Sequence, residues 1–132
     1  MEFLVDADFL IALVKEDDKN HLRSINKLRG LEDALIFITP FTIPETVTVL
    51  SYRVSQKAAK KFLKEAREKF IELPLNKKIT CLADKIFLTQ NKKGTSWIDC
   101  LNAAVVKYYR LKGILSYDRF YSRIGISSIS RN

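Results

Sequence analysis

The chain has 132 residues, of which 47% are hydrophobic, and it carries a formal net charge of +8. This length and apolar content suffice for one domain, residues 1–132, whose core needs no disulfides, so a disordered or disulfide-stapled chain is excluded. No apolar run approaches the roughly 18 residues of a membrane span, and Glu2 and Asp6 stand where a signal peptide carries positive charge, so we expect a cytoplasmic protein.

The first third of the chain predicts a strand, two helices and a second strand. Residues 3–5 are a short apolar run. Residues 8–18 and 18–29 have the periodicity of helices, and Gly30 ends the second one. Residues 34–38, ALIFI, are entirely apolar and precede a Thr-Pro pair, which is typical of a strand that is buried on both faces.

The middle of the chain predicts two helices of different character. Residues 42–53 have Thr42 at the N-cap and Glu45 three residues later, which is the pattern of a capping box. Residues 54–70 place an apolar side chain at every fourth position and lysines elsewhere. This second pattern predicts an amphipathic helix with a basic face.

The last third predicts two helices and two strands. Residues 79–90 form one helix, and residues 96–113 form a longer one that begins with a serine cap and ends at its glycine. Residues 114–117 and 125–129 are the strands. Strands that alternate with helices indicate an α/β fold, in which helices cover both faces of a parallel sheet.

Acidic residues stand where predicted strands end or predicted helices begin. The carboxyl ends of parallel strands meet at one edge of a sheet, so we expect four of these acids to converge there. Each acid also has a local explanation, as a helix cap or a turn residue. Four caps have no reason to share one edge, however, and crowded carboxylates raise one another's pKa unless a cation lies among them. The four residues are Asp6, Glu45, Asp99 and Asp118.

The residue types indicate which cation the acids would bind. Carboxylate oxygens are typical ligands of Mg²⁺ or Mn²⁺, whereas zinc sites use cysteine and histidine. Cys81 and Cys100 are isolated in the sequence, and we expect both to be small buried side chains in a reducing compartment. His21 is the only histidine, and we expect it to pack or to face solvent. The sequence therefore predicts a magnesium or manganese site made of acids.

Four segments give the chain a resemblance to the PIN-domain family, and within it to the VapC-like toxin ribonucleases. They are FLVDADFLIAL, TIPETVTVL, SWIDCLNAAVV and GILSYDRFYSRIGI, in the family's order and from end to end of the chain. The resemblance implies a three-layer α/β/α fold with a parallel sheet of about five strands, and metal-dependent cleavage of single-stranded RNA. It makes Asp6, Asp99 and Asp118 metal ligands, Glu45 an outer ligand or general base, and Ser116 a residue that orients water or phosphate.

Two positions depart from the family's pattern. Asp8 stands where the family usually has Ser, Thr or Asn, and we expect it to cap the following helix, with a further metal ligand as the alternative. Tyr121 stands where the family usually has Phe, and Phe120 lies beside it. We expect this second change to alter packing rather than chemistry.

Basic residues are concentrated in the middle of the chain, where residues 53–93 hold 12 Lys and Arg against 4 Asp and Glu. Such a segment attracts a polyanion like RNA, although a lysine-rich helix face is also ordinary solvated surface. Both the helix lysines of residues 57–64 and a set nearer the acids are candidates for binding the RNA backbone. The nearer set is Lys92, Lys93, Arg119 and Arg123.

Two other functions fit part of the sequence. A strand followed by Asp6 and Asp8 also opens the haloacid-dehalogenase-like phosphatases, with Asp6 as nucleophile and Asp8 as acid. Those enzymes need a late acidic pair as well, and the C-terminal region offers only Asp118. The other alternative is a non-catalytic PIN scaffold that binds RNA or an antitoxin, which a missing member of the acidic quartet would have favoured.

The expected partners are RNA, a small antitoxin protein and a second copy of the chain. The antitoxin and the homodimer are implied by the resemblance. The sequence adds that apolar and aromatic residues in 46–54 and along 54–70 exceed what one helix face buries, and such a surplus is typical of an interface. We expect no membrane association.

Overall fold

The computed structural model describes residues 1–129, and four strands in this range form one parallel sheet. The strands lie side by side in the order β3-β2-β1-β4, with β1 in the interior. This architecture confirms the predicted α/β fold class, with four strands where about five were expected. The strands are β1 (Glu2–Val5), β2 (Leu35–Ile38), β3 (Ile71–Glu72) and β4 (Gly113–Leu115).

Helices cover both faces of the sheet. One face packs against the fifth, sixth and seventh helices, and the other against the first, third and fourth. The second helix packs on the first. The helices are α1 (Ala7–Val14), α2 (His21–Arg29), α3 (Thr42–Arg53), α4 (Gln56–Lys69), α5 (Lys77–Leu88), α6 (Trp97–Tyr109) and α7 (Phe120–Arg123).

The three layers follow from side-chain alternation along the strands. Successive residues of a strand point to opposite faces of the sheet, so an all-apolar strand contributes side chains to the cores on both faces. One residue from each of β1, β2 and β4 packs toward α5 and α6, and the residue after it packs toward α1, α3 and α4. The first set is Leu4, Phe37 and Ile114, and the second is Val5, Ile38 and Leu115.

The C-terminal part differs from the sequence prediction. The strand expected at residues 125–129 is reduced to a single bridge between Ser128 and Ile114. Gly113 does not end α6 but begins β4, and a side chain there would meet the Ser127 carbonyl oxygen at 2.5 Å. The helix ends instead at Arg110, whose φ of 55° is the left-handed conformation that closes helices. Glycine is therefore required at position 113 by a close backbone approach rather than by a helix end.

Three further details concern β3 and the cysteines. The sequence analysis did not predict β3, because two residues are too short for a periodic signal. Both cysteines are free, but Cys81 is exposed, so its expected burial was wrong, while Cys100 is buried as expected. Within the described residues, no helix combines the length and the apolar character that crossing a membrane requires.

Candidate functional site

The predicted acids meet at one edge of the sheet. Asp6 directly follows β1, and its amide donates to the Leu115 carbonyl at the end of β4, 3.0 Å away, so the two strand ends are aligned. Ser116 and Asp118 follow β4. Two helix N-termini, which stabilise carboxylates, complete the edge. They are the first turns of α3 and α6, which carry Glu45 and Asp99.

Asp6 is the centre of the hydrogen-bond network. It is 7% exposed, and it caps α1 by accepting from the Ala7 amide at 2.8 Å. The same oxygen, Oδ1, lies 3.4 Å from the side-chain nitrogen Nδ2 of Asn102. Oδ2 accepts from the hydroxyls of Ser116 and Tyr121, each at 3.0 Å. Four donors therefore hold one buried carboxylate.

Ser116 connects three of the acids. Its Oγ accepts from the Asp118 amide at 3.1 Å, and it lies 3.0 Å from Asp6 Oδ2 and 3.3 Å from Asp8 Oδ2. A hydroxyl has one proton, so Ser116 donates to one of these two carboxylates at a time. The residue therefore lies among the acids, as the sequence predicts.

The expectation that Asp8 caps α1 was wrong, because Asp6 holds that position. Asp8 lies in the first turn of the helix, and its Oδ2 accepts from the Tyr117 amide at 2.9 Å. Its other oxygen, Oδ1, is buried and has no hydrogen-bond partner among residues 1–129. Asp8 thus ties α1 to the segment after β4 and keeps one free oxygen, and its role as a further ligand stays a prediction.

The capping box predicted for Glu45 is not formed. Phe41, not Thr42, is the N-cap of α3, and the Thr42 hydroxyl accepts from the Thr39 amide at 3.0 Å. The hydroxyl therefore stabilises the turn before the helix instead of the helix itself. Glu45 lies exposed in the first turn, and the capping explanation for this acid is removed.

Ser96 and Asp99 also have the spacing of a capping box in the sequence, but this box is only half formed. Ser96 caps α6, as predicted, by accepting from the Ile98 amide at 3.0 Å. Asp99 does not return a bond to the cap; its Oδ1 lies 3.2 Å from the Tyr121 hydroxyl. Among the described residues this phenol is the only hydrogen-bond donor to Asp99, so the carboxylate faces the other acids.

Two site residues were missed by the sequence analysis. Tyr121 was expected to change only packing, but its hydroxyl contacts both Asp6 and Asp99. Asn102, which is 2% exposed, donates to the same hydroxyl at 3.0 Å. Asn102 lies one helical turn after Asp99, so the spacing was a signal that could have found it, since residues three apart share a helix face.

The pKa values of four carboxyls at the site are raised, chiefly by burial. Burial raises the pKa of Asp6, the hydrogen bonds from Ser116 and Tyr121 oppose this shift, and the charge of Asp118 adds to it. Burial and the charge of Asp6 raise the pKa of Asp8 to about 7. Burial and the charges of Asp6 and Asp118 raise the pKa of Asp99 to about 7. Partial shielding of its carboxyl from water, although the residue as a whole is exposed, and the charge of Asp6 also raise the pKa of Glu45. Protonation or a cation would relieve this repulsion.

These shifts predict a pH dependence of stability in the metal-free protein. An unfolded Asp has a pKa of about 4, so between pH 4 and 7 the folded chain binds more protons than the unfolded chain, and stability falls as pH rises. We expect the melting temperature in chelator to decrease from pH 5 to pH 8, and Asp99→Asn to flatten this slope. Asp33→Asn, at an exposed position outside the site, should keep it. A melting temperature that rises over this range would contradict the prediction.

The donor set fits a hard divalent cation in chemistry and charge, but it is not preassembled. Among residues 1–129, no three Asp, Glu, His or Cys side chains are already gathered closely enough to hold a metal ion. The buried Asp6 is held by protein donors, whereas Glu45 and Asp118 are exposed, and Asp118 Oδ1 accepts from the Phe120 amide at 2.9 Å. All candidate ligands are oxygens, and the buried Asp8 Oδ1 is unpaired, which suits Mg²⁺ or Mn²⁺. His21 lies elsewhere, with Nδ1 2.7 Å from the Ala12 carbonyl.

Basic side chains border the acids on one side. A cleft of about 170 Å³ is lined by Asp99 and Asp118 together with Lys92, Lys93 and Arg123. Arg119, the fourth predicted basic residue, is exposed beside Asp118 in the chain but lies outside this lining. The lysines of residues 57–64 belong to α4, which packs against α3. The structure therefore joins three of the four predicted basic residues to the acids.

An apolar groove borders the acids on the other side. Its volume is about 420 Å³, and Glu45 is its only acidic lining residue. The Phe41 ring, 42% exposed, forms one wall and meets Trp97 edge-to-face with 6.4 Å between ring centres. The remaining lining residues are Pro44, Thr48, Val49 and Ile98. The acidic centre thus lies between a basic cleft and an apolar groove.

Comparison with protein families gives one match that spans nearly the whole chain. The model of the PIN domain family matches residues 3–126. No curated protein matches the sequence significantly.

Three solved structures with the same fold are distant from this chain in sequence. VapC20 of Mycobacterium tuberculosis, described as a sarcin-ricin loop cleaving toxin, superposes with a TM-score of 0.85 at 17% identity over 95% of this chain and 96% of that one. VapBC-1 of nontypeable Haemophilus influenzae gives 0.68 at 16% identity over 97% and 96%. FitAcB of Neisseria gonorrhoeae gives 0.68 at 14% identity over 97% and 96%. At such identities the likeness establishes the fold.

Proposed function

The chain belongs to the PIN domain family, and from this premise we propose that it is a single-domain, metal-dependent endoribonuclease that cleaves single-stranded RNA as the toxin of a toxin–antitoxin pair. The observation that carries the proposal is the convergence of Asp6, Glu45, Asp99 and Asp118 on one sheet edge, where the charges of the other three raise the pKa of Asp99 beyond the effect of burial. Local capping explains neither Glu45 nor Asp99.

The proposed roles follow from burial and contacts. Asp6 and Asp99 are the inner ligands, because both are buried or half-buried and share the Tyr121 hydroxyl. Asp118 is exposed, its Oδ1 accepts from the Phe120 amide at 2.9 Å, and we assign it as a further ligand, directly or through water. Glu45 is the outer ligand or the general base, and the charge of Asp6 adds to the rise of its pKa above the usual value. Asp8 is a possible additional ligand through its unpaired oxygen.

Hydrolysis of a phosphodiester needs an activated water and compensation of the charge on the phosphoryl oxygens. A bound Mg²⁺ or Mn²⁺ supplies both, because it lowers the pKa of water and polarises the ester. The protein holds the acids in place through the Asp6 network, and Ser116 offers a hydroxyl among them to orient water or phosphate. Glu45 accepts the proton from the attacking water.

The surroundings of the acids support an RNA substrate rather than a small phosphate ester. The basic cleft offers Lys92, Lys93 and Arg123 to backbone phosphates on one side of the acids. The apolar groove beside Glu45 offers the exposed Phe41 ring to an unpaired base, which stacks on aromatic side chains. A single strand crossing the site can use both, whereas a duplex keeps its bases stacked inside.

The proposed partners are a small antitoxin and a second copy of the chain in the cytoplasm. Two similar structures, VapBC-1 and FitAcB, carry the names of toxin–antitoxin complexes or their components. An apolar groove between α1 and α4 suits an amphipathic helix of such a partner. For the homodimer, the support is the exposed Tyr52 and Val54 at the end of α3. The groove between α1 and α4 is lined by residues that include Leu10, Leu13, Val14, Leu28, Phe62 and Phe70.

The alternatives differ in what the protein does to RNA. A haloacid-dehalogenase-like phosphatase needs Asp6 as an open nucleophile, but Asp6 is 7% exposed and accepts from four donors, and the family match supports another fold. A non-catalytic scaffold would bind RNA and leave it intact. The test is incubation with a single-stranded RNA oligonucleotide and, separately, with a phosphomonoester. We expect internal cleavage of the RNA and no release of phosphate.

Reversing charge in the basic cleft should weaken RNA binding. The double variant Lys92→Glu, Lys93→Glu is made in an Asp99→Asn background that does not cleave RNA. We expect it to bind RNA more weakly and to make the slope of log affinity against log salt shallower by about one to two units. The reason is that each phosphate contact on a single strand contributes about 0.7 to this slope. The matched control is Lys60→Glu with Lys61→Glu on α4, which changes the net charge equally. A slope that changes only in the control pair would indicate that α4, and not the basic cleft, binds the RNA.

A further inference from the structure

A single buried phenol bridges two of the site's carboxylates. Tyr121 is fully buried, and its hydroxyl oxygen lies 3.0 Å from Asp6 Oδ2 and 3.2 Å from Asp99 Oδ1. The Asn102 side-chain nitrogen donates to the phenol oxygen at 3.0 Å and also lies 3.4 Å from Asp6 Oδ1. The phenol has one proton, so it bonds to one carboxylate at a time and stays close to both. Tyr121 and Asn102 thus connect α7 and α6 to the residue that follows β1.

The two carboxylates depend on the phenol to different degrees. Asp6 keeps donors in Ala7, Ser116 and Asn102. For Asp99, the phenol is the only hydrogen-bond donor among the described residues. Removal of the hydroxyl should therefore release Asp99 while Asp6 stays in place.

The position of the phenol is itself fixed by the core. The Tyr121 ring packs edge-to-face on Phe120 with 5.3 Å between ring centres, and both rings belong to the core cluster that lies against α6. The Tyr121 carbonyl accepts from the Ile126 amide at 2.9 Å. Asn102 is also buried; in the described part of the chain its side-chain oxygen has no partner, and its side-chain nitrogen donates to the phenol and to Asp6. The position of the Tyr121 hydroxyl is therefore fixed by the core and by the Asn102 side chain.

We propose that Tyr121, supported by Asn102, is a positioning residue that fixes Asp99 relative to Asp6 and thereby sets the affinity of the site for a divalent cation. This inference rests on the proposed function, because it concerns the same acids. The phenol binds the carboxylates and not the cation. A donor that orients a metal ligand saves the cost of ordering that ligand when the metal binds, and loss of such a donor typically weakens metal binding 10–100-fold.

The test measures Mn²⁺ binding without RNA, by isothermal titration calorimetry and by electron paramagnetic resonance of free Mn²⁺. We expect Tyr121→Phe, which keeps the ring and removes only the hydroxyl, to raise the dissociation constant for Mn²⁺ about 10–100-fold. The matched control is Tyr109→Phe, which removes a phenol that donates to the Pro74 carbonyl at 2.6 Å. The control should bind Mn²⁺ like the unmodified protein.

Two outcomes would overturn the proposal in different ways. If Tyr121→Phe lowers the melting temperature but leaves the dissociation constant unchanged, the hydroxyl is merely structural, and the proposed nuclease function stands. If the unmodified protein binds no Mn²⁺, the metal-dependent function and the positioning role both fail. Asn102→Ala is the second variant, and it should weaken Mn²⁺ binding in the same direction because it removes the donor that supports the phenol. Unchanged binding in this variant would remove Asn102 from the proposal.

Discussion

Replacing Asp99 by asparagine is expected to abolish RNA cleavage while making the metal-free protein more stable. The substitution removes a proposed ligand, and because such a ligand supports several kcal/mol of charge stabilisation, we expect a rate at least about 10³-fold lower. It also removes a carboxyl whose pKa is raised to about 7 by burial and by the charges of Asp6 and Asp118. Near pH 8 that carboxyl is mostly ionised, so its loss relieves repulsion and should raise the melting temperature in chelator.

The control for this prediction lies near the same helix end. Asp84 accepts from the Trp97 indole nitrogen at 2.8 Å, next to the start of α6. Asp84→Asn should keep cleavage and should not raise the melting temperature. Asp118→Asn should lose cleavage like Asp99→Asn. If Asp99→Asn cleaved RNA at the normal rate and melted at a lower temperature, Asp99 would be a helix-stabilising residue and not a ligand.

Asp6 is less suited to this experiment. It is the N-cap of α1 and accepts from Ser116, Tyr121 and Asn102 in addition to Ala7. Loss of a cap typically costs about 1 kcal/mol, and here the buried donors would also lose their acceptor. An inactive Asp6 variant would therefore not separate a lost ligand from a disturbed fold.

The position of the acids could be predicted from the sequence because it follows from topology. Short apolar strands ending before Asp6 and near Asp118 indicated a parallel sheet, and parallel strands end at the same edge. Helix starts at Glu45 and Asp99 pointed to that edge as well. The apolar spacing and the proline in the first turn predicted a helix over residues 42–53, and the structure has this helix, with Phe41 rather than Thr42 as its N-cap.

The contacts within the site could not be predicted, because they join segments distant in sequence. Thr42 fits a capping box locally, but its hydroxyl bonds to Thr39 in the preceding turn. Asp8 fits a helix cap, but its carboxylate accepts from Tyr117, 109 residues later. The Tyr121 hydroxyl donates to Asp6, 115 residues earlier in the chain. A local pattern carries no information about such contacts.

Loss of cleavage on metal removal is the other large effect that we expect. Without a cation, the acids repel one another and the RNA phosphate, and the water that the general base must deprotonate keeps its high pKa. Excess EDTA should therefore reduce cleavage to background, and Mg²⁺ or Mn²⁺ added beyond the chelator should restore it.

The measurement is the rate of cleavage of a fluorescent single-stranded RNA by the purified protein, with Mg²⁺, with excess EDTA, and with Mn²⁺ restored. The Asp99→Asn protein, purified in the same way, controls for contaminating ribonucleases. We predict cleavage with Mg²⁺ and with restored Mn²⁺, none in EDTA, and none by the variant in any condition. Equal cleavage in Mg²⁺ and in EDTA by the unmodified protein, absent from the variant, would contradict a metal-dependent site at these acids.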